Sequence, residues 1–192
     1  MGLFLLGLVV FLGVHSTKIA APDWRQSMIA RFGLGTWKGL YSLVSIVGFV
    51  ALVYGFGLAR QDSVVVWSPP LFMRHVTALF TLVAFIFFVA AYVPRNSLKF
   101  RFGHPMLLSV KIWAVGHLLA NGTLADIILF GAFLVWAVIA FVFERRRDRT
   151  AGVTYPAGTT RGNVLTIAIG LVAFLVFAFY LHRLLIGVDP MA

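Results

Sequence analysis

The chain has 192 residues, of which 61% are apolar and 11% charged, against roughly 25% charged in an ordinary soluble domain. With a mean hydropathy of +0.97, it has too little polar surface to cover a water-soluble globule, which excludes a soluble enzyme, a nucleic-acid-binding module and a disordered chain. The formal charge of +10 therefore reads as membrane topology and contact with anionic lipid.

Six apolar stretches predict an all-α, polytopic membrane protein, a bundle of six transmembrane helices. About 20 apolar residues cross a ~30 Å hydrocarbon core, and an open sheet edge cannot survive there. The runs are continuous rather than alternating, so a β-barrel is excluded. The first covers residues 3–19 and has no basic leader before it, so it reads as a retained helix and not a cleaved signal peptide. After it, Pro22-Asp23 opens a stretch in which Trp24, Met28 and Phe32 recur every fourth residue, followed by Gly33 and Gly35. That pattern predicts a short amphipathic helix on the cytoplasmic surface, either a lipid-contacting flap or an inert connector.

The second stretch covers residues 39–58 and the third 71–93, with Trp67-Ser68-Pro69-Pro70 breaking the chain between them and Trp67 at interface depth. The fourth covers residues 105–121, with Pro105 in its first turn. Asn121-Gly122 reads as a tight turn, and Thr123 with Asp126 as the N-cap and its N3 partner opening the fifth, 124–143. The basic segment 144–163 reads as a mobile loop. The sixth stretch covers residues 164–185, and a single integral membrane domain spans 1–192.

Charge orients these spans. Loops one, three and five carry Lys18, Arg25, Arg31 and Lys38, then Arg95, Lys99 and Arg101, then Arg145, Arg146, Arg147, Arg149 and Arg161. The other side carries Arg60, Arg74 and Arg183. The first set faces the cytoplasm, which places both termini in the periplasm of a bacterial inner membrane.

Residues able to do chemistry are few. No cysteine is present, which excludes disulfides, thiolate nucleophiles and iron–sulfur clusters. None of the six acidic residues lies in the middle of a span, so a carboxylate-pair mechanism is not expected. Five histidines remain. His15 lies 12 residues from Leu3 and His117 lies 12 residues from Pro105, each roughly 18 Å from its own face at 1.5 Å per residue. Both therefore fall near the midplane, on two different spans, whereas His75 and His182 lie close to the outer face and His104 at the inner boundary. Ionisable groups at the midplane are costly and functional by default. Two imidazoles from separate helices can clamp one haem b as axial ligands, which needs no cysteine; the alternative is a pair of histidines that bond neighbouring helices. Trp113, His117 and Asn121 share one helix face, where Trp113 can pack on a planar ligand and Asn121 can hydrogen-bond it, or all three can be an ordinary packing stripe. His104 and Lys111, seven residues apart, either form a cationic site for an anionic headgroup or anchor the span at its boundary. Asp126, if it does not simply cap the fifth stretch, has Arg74 as a possible ion-pair partner.

Val14-His15-Ser16, the run Trp37-Lys38-Gly39-Leu40-Tyr41-Ser42, and His104-Pro105-Met106-Leu107-Leu108 leading to Trp113-Ala114-Val115-Gly116-His117-Leu118-Leu119-Ala120-Asn121-Gly122 resemble the NnrU family of multipass bacterial membrane proteins. So does the closing run Leu181-His182-Arg183-Leu184-Leu185-Ile186-Gly187-Val188. That family is named for an association with nitrite and nitric oxide reduction, and it is similar to the plant and cyanobacterial 15-cis-zeta-carotene isomerases. The resemblance implies a haem b held by His15 and His117, with His104 as an additional histidine, and cis–trans isomerisation of a polyene. The isomerases carry a cysteine three residues before the second histidine; Ala114 stands there in this chain, which removes any ligand switch through that thiol.

Three functions follow as expectations. The first is a haem-dependent redox or isomerase enzyme acting on an apolar, carotenoid-like small molecule in the bilayer. The second is a non-catalytic accessory or regulatory protein of denitrification. The third is a membrane methyltransferase, which the tail does not favour. The sequence does not fix the oligomeric state.

Overall fold

The computed structural model describes residues 1–190. Among them regular structure is helical: α1 (Gly2–Ala20), α2 (Pro22–Ala59), α3 (Met73–Ala90), α4 (Ser97–Phe102), α5 (Pro105–Ala120), α6 (Leu124–Thr150), α7 (Thr160–Val176), a π-helical turn (Phe177–Leu181) and α8 (His182–Ile186). Five helices are long and apolar enough to cross a membrane: α1, α2, α3, α6 and the continuous run Thr160–Ile186. The sixth expected span, α5, is apolar but has 16 residues, about 24 Å of helix, short of a ~30 Å core. Among the described residues, five helices are thus long enough to cross unaided, and α5 is a shorter apolar helix beside them. The chain folds as two compact units, Met1–Val64 with Thr123–Ala125, and Val65–Gly122 with the residues from Asp126 onward.

In the first unit, α1 and α2 form a hairpin whose backbones approach closely. A Cβ on Gly7 would lie 2.3 Å from the Leu52 nitrogen, and one on Gly55 would lie 2.5 Å from the Phe4 nitrogen. Small residues at such crossings allow the close packing that drives helix association in lipid. Phe4 is fully buried against that seam, its ring 5.6 Å from Phe56. The expected short helix after the first span is present. Pro22 occupies its first turn, and Gly33 (φ 83°, ψ 156°) ends it in a conformation that only glycine adopts readily. Helix α2 is thus a short segment, 22–32, and a long one, 34–59.

In the second unit, α5 packs on α3. Gly116 faces Phe80, whose Cβ would lie 2.7 Å from an added methyl, and Thr77 Oγ1 donates to the Gly116 carbonyl at 2.6 Å. Helix α7 packs on the other side of α3, with Phe85 lying 6.3 Å from Phe174 and 5.5 Å from Phe177.

Two loops differ from expectation. Helix α6 does not stop at residue 143: its 27 residues span about 40 Å, so the charged turns 144–150 continue beyond the apolar stretch. The following segment is anchored, not mobile. Tyr155 bonds to Asp148, the Thr159 N–H donates to the Arg95 carbonyl at 2.8 Å, and Asn163 pairs with Ser97. Likewise Asn121-Gly122 is no tight turn, because Asn121 is extended (φ −128°, ψ 125°). Glycine is needed at 122 because the chain passes against it: a Cβ there would lie 1.9 Å from the Trp67 carbonyl oxygen. The Val66 and Trp67 N–H groups donate to the Gly122 carbonyl, closing the end of α5.

Candidate functional site

His117 sits one turn from the C-terminus of α5, and its surroundings are aromatic. Its ring lies 4.6 Å from Phe130 at 31° and 5.1 Å from Trp113; Trp113 in turn meets Phe130 at 5.0 Å and Phe133 at 5.6 Å. The decisive polar contact is local. His117 Nδ1 lies 2.9 Å from the Trp113 carbonyl one turn earlier. A carbonyl only accepts, so the proton sits on Nδ1 and the neutral ring carries its lone pair on Nε2. The Asn121 side-chain amide donates to the His117 carbonyl at 2.8 Å and its backbone N–H to the same oxygen at 2.9 Å. Asn121 therefore caps α5 and fixes the turn that carries the imidazole. The buried Asp126 and the part-exposed His182 lie within electrostatic reach of the ring.

His15, in the first unit, is held by the same device. Its Nδ1 lies 2.7 Å from the Phe11 carbonyl, so its lone pair too is on Nε2. Phe11 stacks against the ring at 4.3 Å and Tyr41 meets it edge-on at 5.4 Å. Histidines that bind metal commonly donate one ring N–H to a carbonyl or carboxylate, which sets the tautomer and orients the ligating nitrogen. The donor set of both residues fits an axial imidazole, and the aromatic side chains beside each fit the faces of a flat apolar macrocycle.

The family model described as NnrU protein matches residues 3–190. The chain belongs to the NnrU family. No curated protein and no solved structure matches it. This NnrU chain keeps Ala114 fully buried one turn before His117, so no thiol borders the imidazole.

His104 is placed elsewhere. It precedes α5, and its Nε2 donates to Asp148 Oδ2 at 2.8 Å. Tyr155 Oη donates to the same oxygen at 2.6 Å. Burial alone would raise the Asp148 carboxyl, but the Tyr155 hydroxyl, His104 and Arg147 outweigh it and hold it below the usual carboxylate range. Burial, the bond to Asp148 and that carboxylate's charge push the Tyr155 phenol up to about 12. Of the two readings of His104 and Lys111, headgroup site or boundary anchor, the contacts favour the anchor: His104 is engaged by Asp148, and Lys111 Nζ stands 3.9 Å over the Phe141 ring. Sequence reasoning missed Asp148 and Tyr155. Asp148 carried a signal, as the lone carboxylate among Arg145, Arg146, Arg147 and Arg149 and one helical turn after Glu144; nothing in the sequence marked Tyr155.

Proposed function

We propose that this NnrU protein binds haem b through an axial imidazole, with His117 and His15 each a candidate ligand within its own unit, and uses it in a redox or isomerase-type reaction on an apolar, polyene-like small molecule in the bilayer. The observation that carries the reading is the shared tautomer: each imidazole has its Nδ1–H fixed on the carbonyl four residues earlier, with the lone pair on Nε2. Among the described residues no three His, Cys, Asp or Glu side chains converge as a site for a bare ion, whereas a macrocycle brings four of its own nitrogens and needs one or two from the protein. Trp113, Phe130, Phe11 and Tyr41 supply flat apolar surface beside the two rings.

When bound, haem b supplies a one-electron iron couple. The protein residues orient it. Asn121 holds the last turn of α5, Thr77 ties Gly116 to α3, and the two carbonyl bonds prevent ring rotation. The basic loops orient the chain with both termini in the periplasm of a bacterial inner membrane.

Two experiments separate the parts of this reading. Haem content per polypeptide, measured as the pyridine haemochrome, is expected near one in wild type and strongly reduced in His117→Ala; absence of haem from folded wild type removes the cofactor. Expression in a host that accumulates poly-cis carotenoid is expected to shift its pigment toward the trans isomer. Unchanged pigment with haem present leaves a haem protein without isomerase activity, the accessory role in nitrogen-oxide reduction.

A further inference from the structure

The segment 22–32 of α2 is a candidate for a second role. At 11 residues it is about 16 Å long, too short to cross a bilayer, and Gly33 turns the chain away from the long segment that follows. At 100° per residue, Trp24, Met28 and Phe32 lie within one 80° stripe. Arg25 and Arg31 stand three residues before and after Met28, about 60° round the helix on either side of it. Asp23, Gln26, Ser27 and Ala30 occupy the opposite face and are exposed. Apolar centre, cationic flanks and polar back are the pattern of a helix lying in the membrane surface.

The side chains are arranged accordingly. Trp24 and Phe32 remain 51% and 52% exposed, more than an interior packing role would leave them. The Arg31 guanidinium stands 5.2 Å over the Phe32 ring, and that of Arg25 lies 5.8 Å from Trp37. Trp37 also receives Trp24 edge-on at 5.6 Å. Each arginine is thus drawn along aromatic surface with its charged head at the edge of the apolar stripe. Between Lys18 and Lys38 the chain carries those two lysines and two arginines against the single acid Asp23. This charge balance selects the occupant of the surface.

We propose that segment 22–32 lies in the plane of the bilayer and binds the phosphate headgroups of anionic phospholipids through Arg25 and Arg31, with Trp24 and Phe32 set at the acyl boundary. A planar guanidinium matches phosphate oxygens in a two-pronged hydrogen bond, and Gly33 lets the segment lie flat while α2 continues as a spanning helix. The role is independent of haem: it needs neither His15 nor His117.

The full chain lacks cysteine, so single-cysteine variants accept a spin label at one chosen site. Gln26→Cys and Phe32→Cys are labelled in nanodiscs of phosphatidylcholine with phosphatidylglycerol. Collisional accessibility is expected to be high toward oxygen at 32 and high toward an aqueous nickel chelate at 26. In parallel, enrichment of phosphatidylglycerol over phosphatidylcholine around the detergent-purified protein is expected to fall about fivefold for each of Arg25→Gln and Arg31→Gln. Equal nickel accessibility at both positions puts the segment in water and overturns the proposal. A label at 32 shielded from both reagents points to a protein occupant and overturns it as well. Lipid enrichment unchanged in the Arg25→Gln/Arg31→Gln double variant removes the headgroup site.

Discussion

His104 Nε2 and Asp148 Oδ2 stand 2.8 Å apart although 44 positions separate them in the chain. Tyr155, from the segment after α6, donates to the same carboxylate oxygen. One oxygen thus joins the start of α5, the end of α6 and the connection to α7. Hydrogen bonds to a charged, buried acceptor contribute about 1.5–3 kcal/mol each. Tyr155→Phe is expected to lower unfolding stability by about that amount and to speed trypsin cleavage between Arg145 and Arg161. A double-mutant cycle with Asp148→Asn should show coupling between the two sites; additive losses and an unchanged cleavage rate would deny the three-way junction.

The pH dependence of this junction has a definite sign. Asp148 is held below its ordinary range, so its contribution is present above about pH 4 and is lost as pH falls through the depressed value. Tyr155 is pushed up to about 12 from 10.0, so its contribution is present below pH 10 and is lost as pH rises through about 12. The stability difference between wild type and Tyr155→Phe is therefore expected to be full at about pH 9 and to shrink above about pH 10. A difference that vanishes already between about pH 7 and 9 would show that the phenol is not held by Asp148.

The seam between α1 and α2 makes a steric prediction. Gly7→Ala places a methyl 2.3 Å from the Leu52 nitrogen, an overlap with backbone that no rotamer relieves. A loss of about 1–3 kcal/mol is expected. Gly13→Ala, on the same helix with nothing within 4 Å, should be neutral or stabilising by up to about 1 kcal/mol. Thermal unfolding in detergent compares the two; equal effects would mean that the close crossing is absent.

Gly33 makes a conformational one. Its φ of 83° with ψ of 156° lies where a side chain costs about 1–3 kcal/mol, and nothing lies within 4 Å of an added Cβ. Gly33→Ala should therefore act through the backbone alone, lowering stability or straightening segment 22–32 into the long helix. A change in label-to-label distance between positions 26 and 43 would report the straightening. No change in either quantity would show that the break is not held by glycine.

Much of this fold was legible because bilayer physics writes long, simple signals. The first apolar stretch, the short α5 and the break near Gly33 match the observed helices to within a residue or two. What the sequence hid has a common cause: apolarity marks where a helix meets lipid, not where it ends. Helix α6 continues through Arg145–Arg149 because arginine is a good helix former, and the six-residue α4 is too short to show a period. Residue count alone singles out His15 and His117 as candidates, since expected depth in a span follows from it. Their tautomers were not, since these depend on the helix hydrogen-bond geometry around each ring. Sharing a face with His117 leaves open whether Asn121 meets a ligand or belongs to a packing stripe; its short amide reaches the carbonyl four residues back, the ordinary local alternative for asparagine at a helix end. Helical spacing sets His104 on the face of Lys111 but cannot show a partner that arrives from another helix, as Asp148 does.

The most direct test of the haem assignment is the visible spectrum of wild-type protein purified in mild detergent from haem-replete cells, read beside His15→Ala, His117→Ala and His104→Gln. A Soret band is expected in wild type, lost or shifted in the first two variants and retained in the third, whose histidine is engaged by Asp148. A colourless, well-folded wild type, or a band unchanged by both alanine variants, would contradict axial ligation by these two imidazoles.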